Sequence, residues 1–342
     1  MKKKVRLSDI AEKLNLSKVS VSKALRDHPD ISDKRKKEVK EMALKIGYRP
    51  NLIARSLTSY KTKTLGVVVP KIAHNFFAHI VAGIQQVASE HDYKIVLMVS
   101  EESAKLEKQH IEVLVSMQVD GLLTSISMET ENYEIFETIR EMQVPLVFFD
   151  RHVENMGFNS VIVDDENVSH DGVSRLIKKG HTKIAHLAGY QQVNIGKYRR
   201  IGYERALKEK GLKVDPSYII EGGFDEKSGY DGFKKLLTLD NLPDAIFAVT
   251  FPVALGVYFK MREVDPSLID SIPVLSVGDT GLNGLIPYPQ YYIEQNPHVI
   301  GERAADLLLK EIRGEIKPEN HIEIVDTQFI ETENRKTFLT AT

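Results

Sequence analysis

The sequence of 342 residues contains no cysteine and no tryptophan. No apolar run approaches the roughly 18 residues of a membrane span. The absence of cysteine excludes disulfide bonds and thiolate chemistry, and it is typical of cytoplasmic proteins. The basic start is followed by an amphipathic pattern rather than by the apolar segment of a secretory signal. We therefore predict a cytoplasmic protein that does not enter a membrane.

Patterns of known catalytic sites are also missing. The sequence has no Gly-x-x-x-x-Gly-Lys-Ser/Thr phosphate loop, no His-Glu-x-x-His zinc motif and no Gly-x-Ser-x-Gly nucleophile elbow. The neighbouring carboxylates Glu101-Glu102 and Asp164-Asp165 are more typical of solvated turns than of an acid–base pair. The eleven histidines form no metal-like pattern. We expect no catalytic residues, no cofactor and no metal site.

Charge is distributed unevenly along the chain. Residues 1–63 contain 18 Lys or Arg and 7 Asp or Glu, a net charge of +11, whereas the remaining 279 residues carry −13. Lys and Arg that neutralise phosphates release condensed counterions, so a basic segment of this kind gains affinity for nucleic acid. The imbalance predicts a small head that binds a polyanion, joined to a large acidic body.

The basic segment has the pattern of three short helices. Apolar residues recur at helical spacing in three stretches, for which Ser8, Ser17 and Ser32 are the expected caps; Gly47 ends the third stretch. Two helices joined by a tight turn and supported by a third form a helix-turn-helix unit, whose second helix enters the major groove of DNA. A three-helix scaffold with a solvated, charged face is the alternative. The outward-facing candidates for DNA contact are Ser17, Lys18, Val19, Ser22 and Lys23.

A short segment follows, with a proline start and room for barely two helical turns. Isolated helices need about 12–15 residues to persist, so residues 50–58 should become ordered only against their copy in a dimer and against DNA. Leu57 would then be an apolar wedge that enters a minor-groove base step. The alternative is an ordinary linker whose apolar residues pack on the core. The other candidates for DNA contact here are Asn51, Ala54 and Arg55.

From Lys63 onward, short apolar strands alternate with helical stretches. The predicted strands are 65–69, 94–99, 121–125, 145–150, 161–163, 183–187, 244–249 and 273–277. The predicted helices are 76–91, 106–117, 133–142, 168–179, 198–210, 228–238 and 253–263. This alternation predicts an α/β body of two doubly wound lobes, each a parallel sheet with helices on both faces, behind the all-α head.

The residues from Val5 to Leu57 resemble the head and hinge of the lactose/galactose repressor family of bacterial transcription factors, and the resemblance continues to about Ile330. The matching segments are Ser8-Asp9-Ile10-Ala11, Val19-Ser20-Val21-Ser22-Lys23-Ala24-Leu25 and Pro50-Asn51-Leu52-Ile53-Ala54-Arg55-Ser56-Leu57.

The resemblance implies roles for particular residues of the head. Lys18, Val19 and Lys23 would be the base-reading positions of the second helix, and Leu57 would be the hinge wedge. The family often carries an aromatic or polar residue, then an amide, then an arginine at the base-reading positions. The combination Lys-Val-Lys departs from that pattern, so the operator sequence is not predicted.

For the whole chain, the resemblance implies a homodimeric repressor of carbohydrate-utilisation genes that binds a pseudo-palindromic operator in double-stranded DNA. The body would be similar to periplasmic sugar-binding proteins, with a small-molecule effector, a sugar or sugar derivative, between the lobes. The implied parts are a helix-turn-helix head (1–49), a hinge helix and linker (50–63), an N-lobe (64–163 with 296–325) and a C-lobe (164–295 with 326–342). A solute-binding protein or a sugar-modifying enzyme is the alternative.

Candidates for effector binding lie where strands end, because doubly wound lobes bind ligands at the carboxyl ends of their strands. Phe76 and Phe77 would either stack on a ring or pack beneath the first body helix. Asp150 would either reach a ligand hydroxyl or cap the following turn. The resemblance adds Arg199, Phe224 and Asp279.

One position departs from the family pattern. Where the family usually carries an aspartate before an Ala-x-Gly helix, this chain has Phe251. A pocket that lacks this carboxylate and gains an aromatic ring would suit a less hydroxylated, larger or acidic ligand, or would no longer be controlled by a ligand. Since tryptophan is absent, Phe and Tyr are the available stacking surfaces.

Overall fold

The computed structural model divides into two units, Met1–Thr62 and Lys63–Thr342, which we call the head and the core. Among the described residues, no helix combines the length and the apolar character that crossing a bilayer requires. The described residues are 5–25, 27–48, 62–72, 75–278 and 290–332.

The head is built on three helices whose apolar faces meet. They are α1 (Leu7–Leu14), α2 (Lys18–Leu25) and α3 (Asp33–Ile46). Ile10, Val21, Ala24 and Val39 are completely buried between them. The predicted helix-turn-helix arrangement is therefore confirmed, and Val21 and Ala24 are the buried residues that α2 contributes to the small core.

Two of the predicted helix boundaries in the head are confirmed. Ser17 Oγ accepts a hydrogen bond from the backbone N–H of Ser20 at 3.0 Å, which caps α2. Gly47 ends α3 with a φ of 71°, a left-handed conformation that glycine adopts without steric cost.

The predicted cap at Ser8 was wrong. Arg6 occupies the cap position of α1, and its backbone N–H donates to the Asp9 carboxylate at 2.8 Å. An aspartate in the third position of a helix reaches back to the cap residue, so the helix starts two residues earlier than a cap at Ser8 would place it. Ser32 does precede α3, but its side chain makes no capping hydrogen bond.

The core contains two six-stranded sheets, one in each of two lobes. The N-lobe sheet has the order β11-β5-β4-β3-β1-β2 and the C-lobe sheet the order β12-β10-β9-β8-β6-β7. The N-lobe strands are β1 (Thr64–Val69), β2 (Lys94–Val99), β3 (Gly121–Thr124), β4 (Leu146–Phe149), β5 (Asn159–Ile162) and β11 (Ile322–Ile324). The C-lobe strands are β6 (Ile184–Leu187), β7 (Ile219–Ile220), β8 (Ala245–Ala248), β9 (Val274–Val277), β10 (Tyr291–Glu294) and β12 (Gln328–Glu331).

Helices cover both faces of these sheets. They are α4 (Asn75–Glu90), α5 (Ala104–Ser116), α6 (Glu134–Glu141), α7 (Asp165–Lys178), α8 (Asn194–Glu209), α9 (Glu226–Leu236), α10 (Phe251–Val264), α11 (Leu268–Ser271) and α12 (Pro297–Arg313), with a 3₁₀ turn at Pro216–Tyr218. Helices α7 and α8 begin three and four residues earlier than predicted, because their first turns are polar and carry no apolar period.

The prediction of two lobes with parallel sheets is confirmed, with one antiparallel strand at an edge of the C-lobe sheet. Strand β12 runs antiparallel to β10, with Tyr291 opposite Glu331. The chain reaches β12 directly from β11 of the other lobe, so no crossover helix within the C-lobe sets its direction.

The chain passes between the lobes three times: between β5 and α7, between β10 and α12, and between β11 and β12. Helix α12 follows a C-lobe strand but packs on α4 and on the N-lobe sheet. These three crossovers place the ends of β4, β9 and β10 and the starts of α4, α8 and α10 around one cleft.

Close helix packing fixes the C-lobe side of this cleft. Gly229 of α9 and Gly256 of α10 face each other's helix, and a Cβ on Gly256 would lie 1.9 Å from the carbonyl oxygen of Glu226. Only glycine permits this approach, which brings the first turns of α9 and α10 side by side.

Candidate functional site

The head presents the outer face of α2. Lys18 and Val19 are exposed, Val19 to 65%, whereas Ser22 and Lys23 are half-buried. The Lys23 ammonium lies 2.6 Å from the Asp30 carboxylate, and this hydrogen bond lowers the pKa of Asp30. The exposed face therefore offers one uncompensated lysine, one apolar side chain and small hydroxyls, a set that fits the edges of bases and phosphates. The predicted DNA-contacting residues Asn51, Ala54, Arg55 and Leu57 lie outside the described residues.

A cavity of about 750 Å³ lies between the two lobes of the core, at the carboxyl ends of their parallel strands. The structure brings six of the seven predicted effector-binding residues to its wall. They are Phe76, Phe77, Asp150, Arg199, Phe224 and Phe251. The seventh, Asp279, lies outside the described residues.

The aromatic side chains come from both lobes. Phe76 and Phe77 are in the first turn of α4 and meet edge to face, with ring centroids 5.3 Å apart. Phe77 is buried and Phe76 is half-buried, so Phe77 both packs beneath the helix and contributes to the wall. Phe224 and Phe251 face them from the C-lobe, in the loop before α9 and at the start of α10.

Asp150 stands directly after β4, in a left-handed backbone conformation with a φ of 60°. Its carboxylate is buried and lies 3.9 Å from Nε of Arg151. Burial raises the pKa of Asp150 to about 6, although the charges of Arg151 and Arg199 act in the opposite direction. A carboxyl group in this setting accepts hydrogen bonds readily, because little water competes for it.

Arg151 is a site residue that the sequence reasoning missed. Its Nη1 donates to Glu102 at 2.8 Å, and both side chains are buried. The guanidinium carbon lies 4.9 Å from the ring centroid of Phe224 and 5.9 Å from that of Phe77, so one N-lobe cation contacts aromatic rings of both lobes. Its Nε is buried without a hydrogen-bond partner.

The interpretation of Glu101-Glu102 as a solvated turn was wrong for Glu102. Glu102 accepts from Arg151 and from the backbone N–H of Met128 at 2.9 Å, while Glu101 is exposed. A sequence window cannot show this difference, because the partner of Glu102 is 49 residues away along the chain.

The same interpretation was wrong for Asp165. Asp164 is the cap of α7 and accepts from the N–H of Asn167 at 3.2 Å, as a turn residue would. Asp165 is buried, and both Nε and Nη2 of Arg199 donate to its Oδ1 at 2.8 Å. Burial raises the pKa of Asp165, and the contact with Arg199 opposes this rise.

Arg199 is therefore held in place before any ligand arrives. Its third nitrogen, Nη1, donates to the carbonyl oxygen of Val249 at 2.5 Å. The guanidinium is fully buried and is part of the cavity wall. Nη1 and Nη2 each carry a second N–H group that these contacts do not use.

Two further polar side chains lie in or beside the cleft. Gln295, between β10 and α12, is buried, and its Nε2 has no hydrogen-bond partner. Asn194, at the start of α8, donates to the carbonyl oxygen of Asp150 at 3.0 Å and accepts from the N–H of His152 at 3.3 Å. Asn194 thus ties the segment after β4 to the C-lobe. For Gln295, the available sequence signal was a polar residue directly after the end of a strand, β10.

The chain is similar in sequence to known proteins along most of its length. The family model described as periplasmic binding proteins and sugar binding domain of the LacI family matches residues 62–333. Catabolite control protein A of Priestia megaterium is 32% identical over 307 residues, which are 90% of this chain and 92% of that protein.

Solved structures show the same fold. The Lac repressor dimer bound to operator and the anti-inducer ONPF has a TM-score of 0.84 at 23% identity, covering 96% of this chain and 98% of that chain. The transcriptional regulator CelR in complex with cellobiose has a TM-score of 0.71 at 25% identity, covering 96% and 99%. The chain, from its head to the last strand of its core, belongs to the LacI family of transcriptional regulators, which are not enzymes.

Proposed function

We propose that the protein is a ligand-responsive bacterial repressor of carbohydrate-utilisation genes that acts as a homodimer in the cytoplasm. The observation that carries this proposal is the combination of a helix-turn-helix head with a two-lobed core whose cleft is lined by aromatic rings and buried polar groups. The relatives named above include a catabolite control protein and a repressor bound to its operator, which supports the same function.

The head would bind a pseudo-palindromic operator with one copy of α2 in each half-site, since the symmetry of a dimer matches that of its DNA. Lys18, Val19 and Lys23 would contact base edges from α2. Ser17 and Ser22 would contact DNA beside them. In the hinge, Asn51, Ala54 and Arg55 would lie along the minor groove and Leu57 would enter a base step.

The core would bind a sugar or sugar derivative in its cleft. The rings of Phe76, Phe77 and Phe224 would pack on the apolar faces of the ligand, and Asp150 and Arg199 would bind its hydroxyls. Asp279 would add a second carboxylate, and Phe251 would close the apolar side. This assignment rests on the convergence of these side chains on one cavity and on the CelR complex with cellobiose.

Ligand binding between the lobes would change their relative arrangement and thereby the separation of the two hinge segments of the dimer. A ligand shifts such an equilibrium only by its differential affinity for the two arrangements, which amounts to about 1–3 kcal/mol in common allosteric systems. The proposed parts are the head (1–49), the hinge (50–63), the N-lobe (64–163 with 296–325) and the C-lobe (164–295 with 326–342).

Capture of fragmented genomic DNA on the purified protein at near-physiological salt, followed by sequencing, tests the proposal. We expect recovery of a shared pseudo-palindrome near genes of carbohydrate metabolism. Sequence-blind capture that disappears as salt rises would contradict it, because that behaviour shows backbone contacts alone.

Two variants sharpen this test with the same change of charge. Lys18→Ala on the exposed face of α2 should alter the recovered half-site, whereas Lys45→Ala, exposed in the last turn of α3, should leave the sequence unchanged. Equal effects of the two substitutions would show that α2 does not read bases.

A further inference from the structure

The charges of the effector cleft are already matched within the protein. Arg151 is paired with Glu102 and Arg199 with Asp165, each at 2.8 Å and each buried. A buried guanidinium whose charge is balanced by a carboxylate has little attraction left for a second anion.

The remaining Lys or Arg of the described lining is Lys71, two residues after the end of β1. It acts on Asp225, the cap of α9: burial raises the pKa of Asp225, but hydrogen bonds from Ser228 and the charge of Lys71 outweigh burial and lower it. Lys71 is half-buried and forms no ion pair among the described residues, so it differs from the two paired arginines.

Carboxylates outnumber cations at this surface. The described lining carries five Asp or Glu side chains and three Lys or Arg side chains, with Asp165 directly behind Arg199. Asp150 is buried among them, beside an arginine that is already paired. A phosphate or carboxylate placed in the cleft would meet a surplus of negative charge, with Lys71 as the one Lys or Arg of the described lining that no ion pair neutralises.

Two buried N–H donors in the described lining have no hydrogen-bond partner. One belongs to a neutral amide and the other to a guanidinium whose charge is already paired. Nε of Arg151 and Nε2 of Gln295 are buried without hydrogen-bond partners, and both residues line the cavity. Asp150 offers acceptor oxygens beside them. Hydroxyl groups match this mixture, because each donates one hydrogen bond and accepts others.

Another part of the cavity wall, at the start of α10, is apolar. Phe251, Pro252 and Leu255 form the first turns of α10, and the Thr250 hydroxyl beside them donates to the carbonyl oxygen of Phe224 at 3.1 Å. A ligand portion placed there would meet rings and aliphatic carbon rather than hydrogen-bonding groups. The cavity of about 750 Å³ falls within the range of about 300–1,000 Å³ that holds drug-sized ligands.

We propose that this cleft binds an uncharged glycoside, nucleosides included, with its hydroxylated ring at Asp150, Arg151 and Gln295 and an apolar or aromatic group against Phe251. This inference rests on the proposed regulatory function. The absence of a carboxylate at position 251 would by itself allow sugar phosphates and sugar acids as ligands. The charge balance of the cleft excludes these anionic ligands.

Equilibrium dialysis of the full chain against matched ligand pairs tests the proposal. The pairs are neutral glycosides and nucleosides of varied ring stereochemistry with their anionic counterparts, such as phenyl β-glucoside with phenyl β-glucuronide and uridine with uridine 5′-monophosphate. Calorimetry then gives each Kd. We expect a neutral compound to bind at least about 10-fold more tightly than its anionic counterpart, equivalent to about 1.4 kcal/mol. An anionic compound that binds as tightly as its neutral counterpart, or no binding by any neutral compound, overturns the proposal.

A pair of adjacent variants tests the charge argument itself. Glu102→Gln removes the counter-charge of Arg151 and should shift the ratio of the two Kd values about 10-fold in favour of the anionic compound. Glu101→Gln removes the same charge from an exposed neighbour and should leave the ratio unchanged. If Glu102→Gln does not fold, Glu294→Gln at the half-buried rim of the cleft should shift the ratio in the same direction.

Operator capture without ligand distinguishes a failure of the charge inference from a failure of the proposed regulatory function. A protein that recovers a pseudo-palindrome but binds anions preferentially refutes only the charge inference. A protein that recovers no operator refutes the regulatory function.

Discussion

The buried pair of Asp165 and Arg199 predicts a large difference between two adjacent aspartates. Asp165→Ala removes the acceptor of two guanidinium N–H groups and leaves the Arg199 charge buried, with one hydrogen bond to Val249. Breaking a buried ion pair by removing one partner costs about 3–5 kcal/mol. Asp164→Ala makes the same chemical change at the cap of α7 and should cost about 0.5–2 kcal/mol.

Urea denaturation of the purified variants, followed by circular dichroism, measures both changes in the free energy of unfolding. A double variant, Asp165→Leu with Arg199→Met, separates the cost of the stranded charge from the cost of lost packing. It should recover most of the stability that Asp165→Ala loses, because apolar residues of similar volume replace buried ion pairs with little or no loss. Equal losses for Asp164→Ala and Asp165→Ala would refute the reasoning.

Three further predictions concern pH, packing and helix capping. Burial raises the pKa of Glu311 from 4.5 to about 7, so its contribution to stability is complete below about pH 4.5 and is lost as pH rises through 7. Glu311→Gln should therefore make the melting temperature, measured by calorimetry, depend less on pH between pH 5 and 8. A variant with the same pH dependence as the original protein would contradict this. Gly256→Ala should lower the free energy of unfolding by about 1–3 kcal/mol, because its Cβ meets the carbonyl oxygen of Glu226, whereas Gly222→Ala, with its nearest neighbour 3.7 Å away, should stay within about 0.5 kcal/mol in the same urea assay. Ser17→Ala should destabilise the head by about 1 kcal/mol through loss of the α2 cap, seen as a lower melting temperature of the head; no change would contradict the capping role.

The regular part of the fold could be predicted from the sequence because its signals are local. The strand Lys94–Val99 and the helix Asn75–Glu90 were located to within one residue from apolar periodicity and from the turn residues that bound them. The direction of β12 could not be predicted, because it depends on a crossover from the other lobe.

The candidate site was predictable only in part, for a related reason. Residues at strand ends, such as Asp150, could be placed at the cleft because parallel strands end at one edge. Glu102 and Asp165 could not be recognised as buried, because a buried carboxylate is defined by its partner, and those partners are 49 and 34 residues away. Arg151 was missed although it directly follows Asp150, since only the folded chain brings it against Phe224.

The operator affinity of the full chain, measured with and without the ligand that binds the cleft, shows whether the cleft controls the head. We expect the ligand to change the Kd for the operator by about 5–150-fold, the range that corresponds to a coupling of about 1–3 kcal/mol. Operator DNA should change the Kd for the ligand by the same factor, because coupling between two binding sites is reciprocal. An operator Kd that is the same with and without saturating ligand would show that the cleft does not control the head.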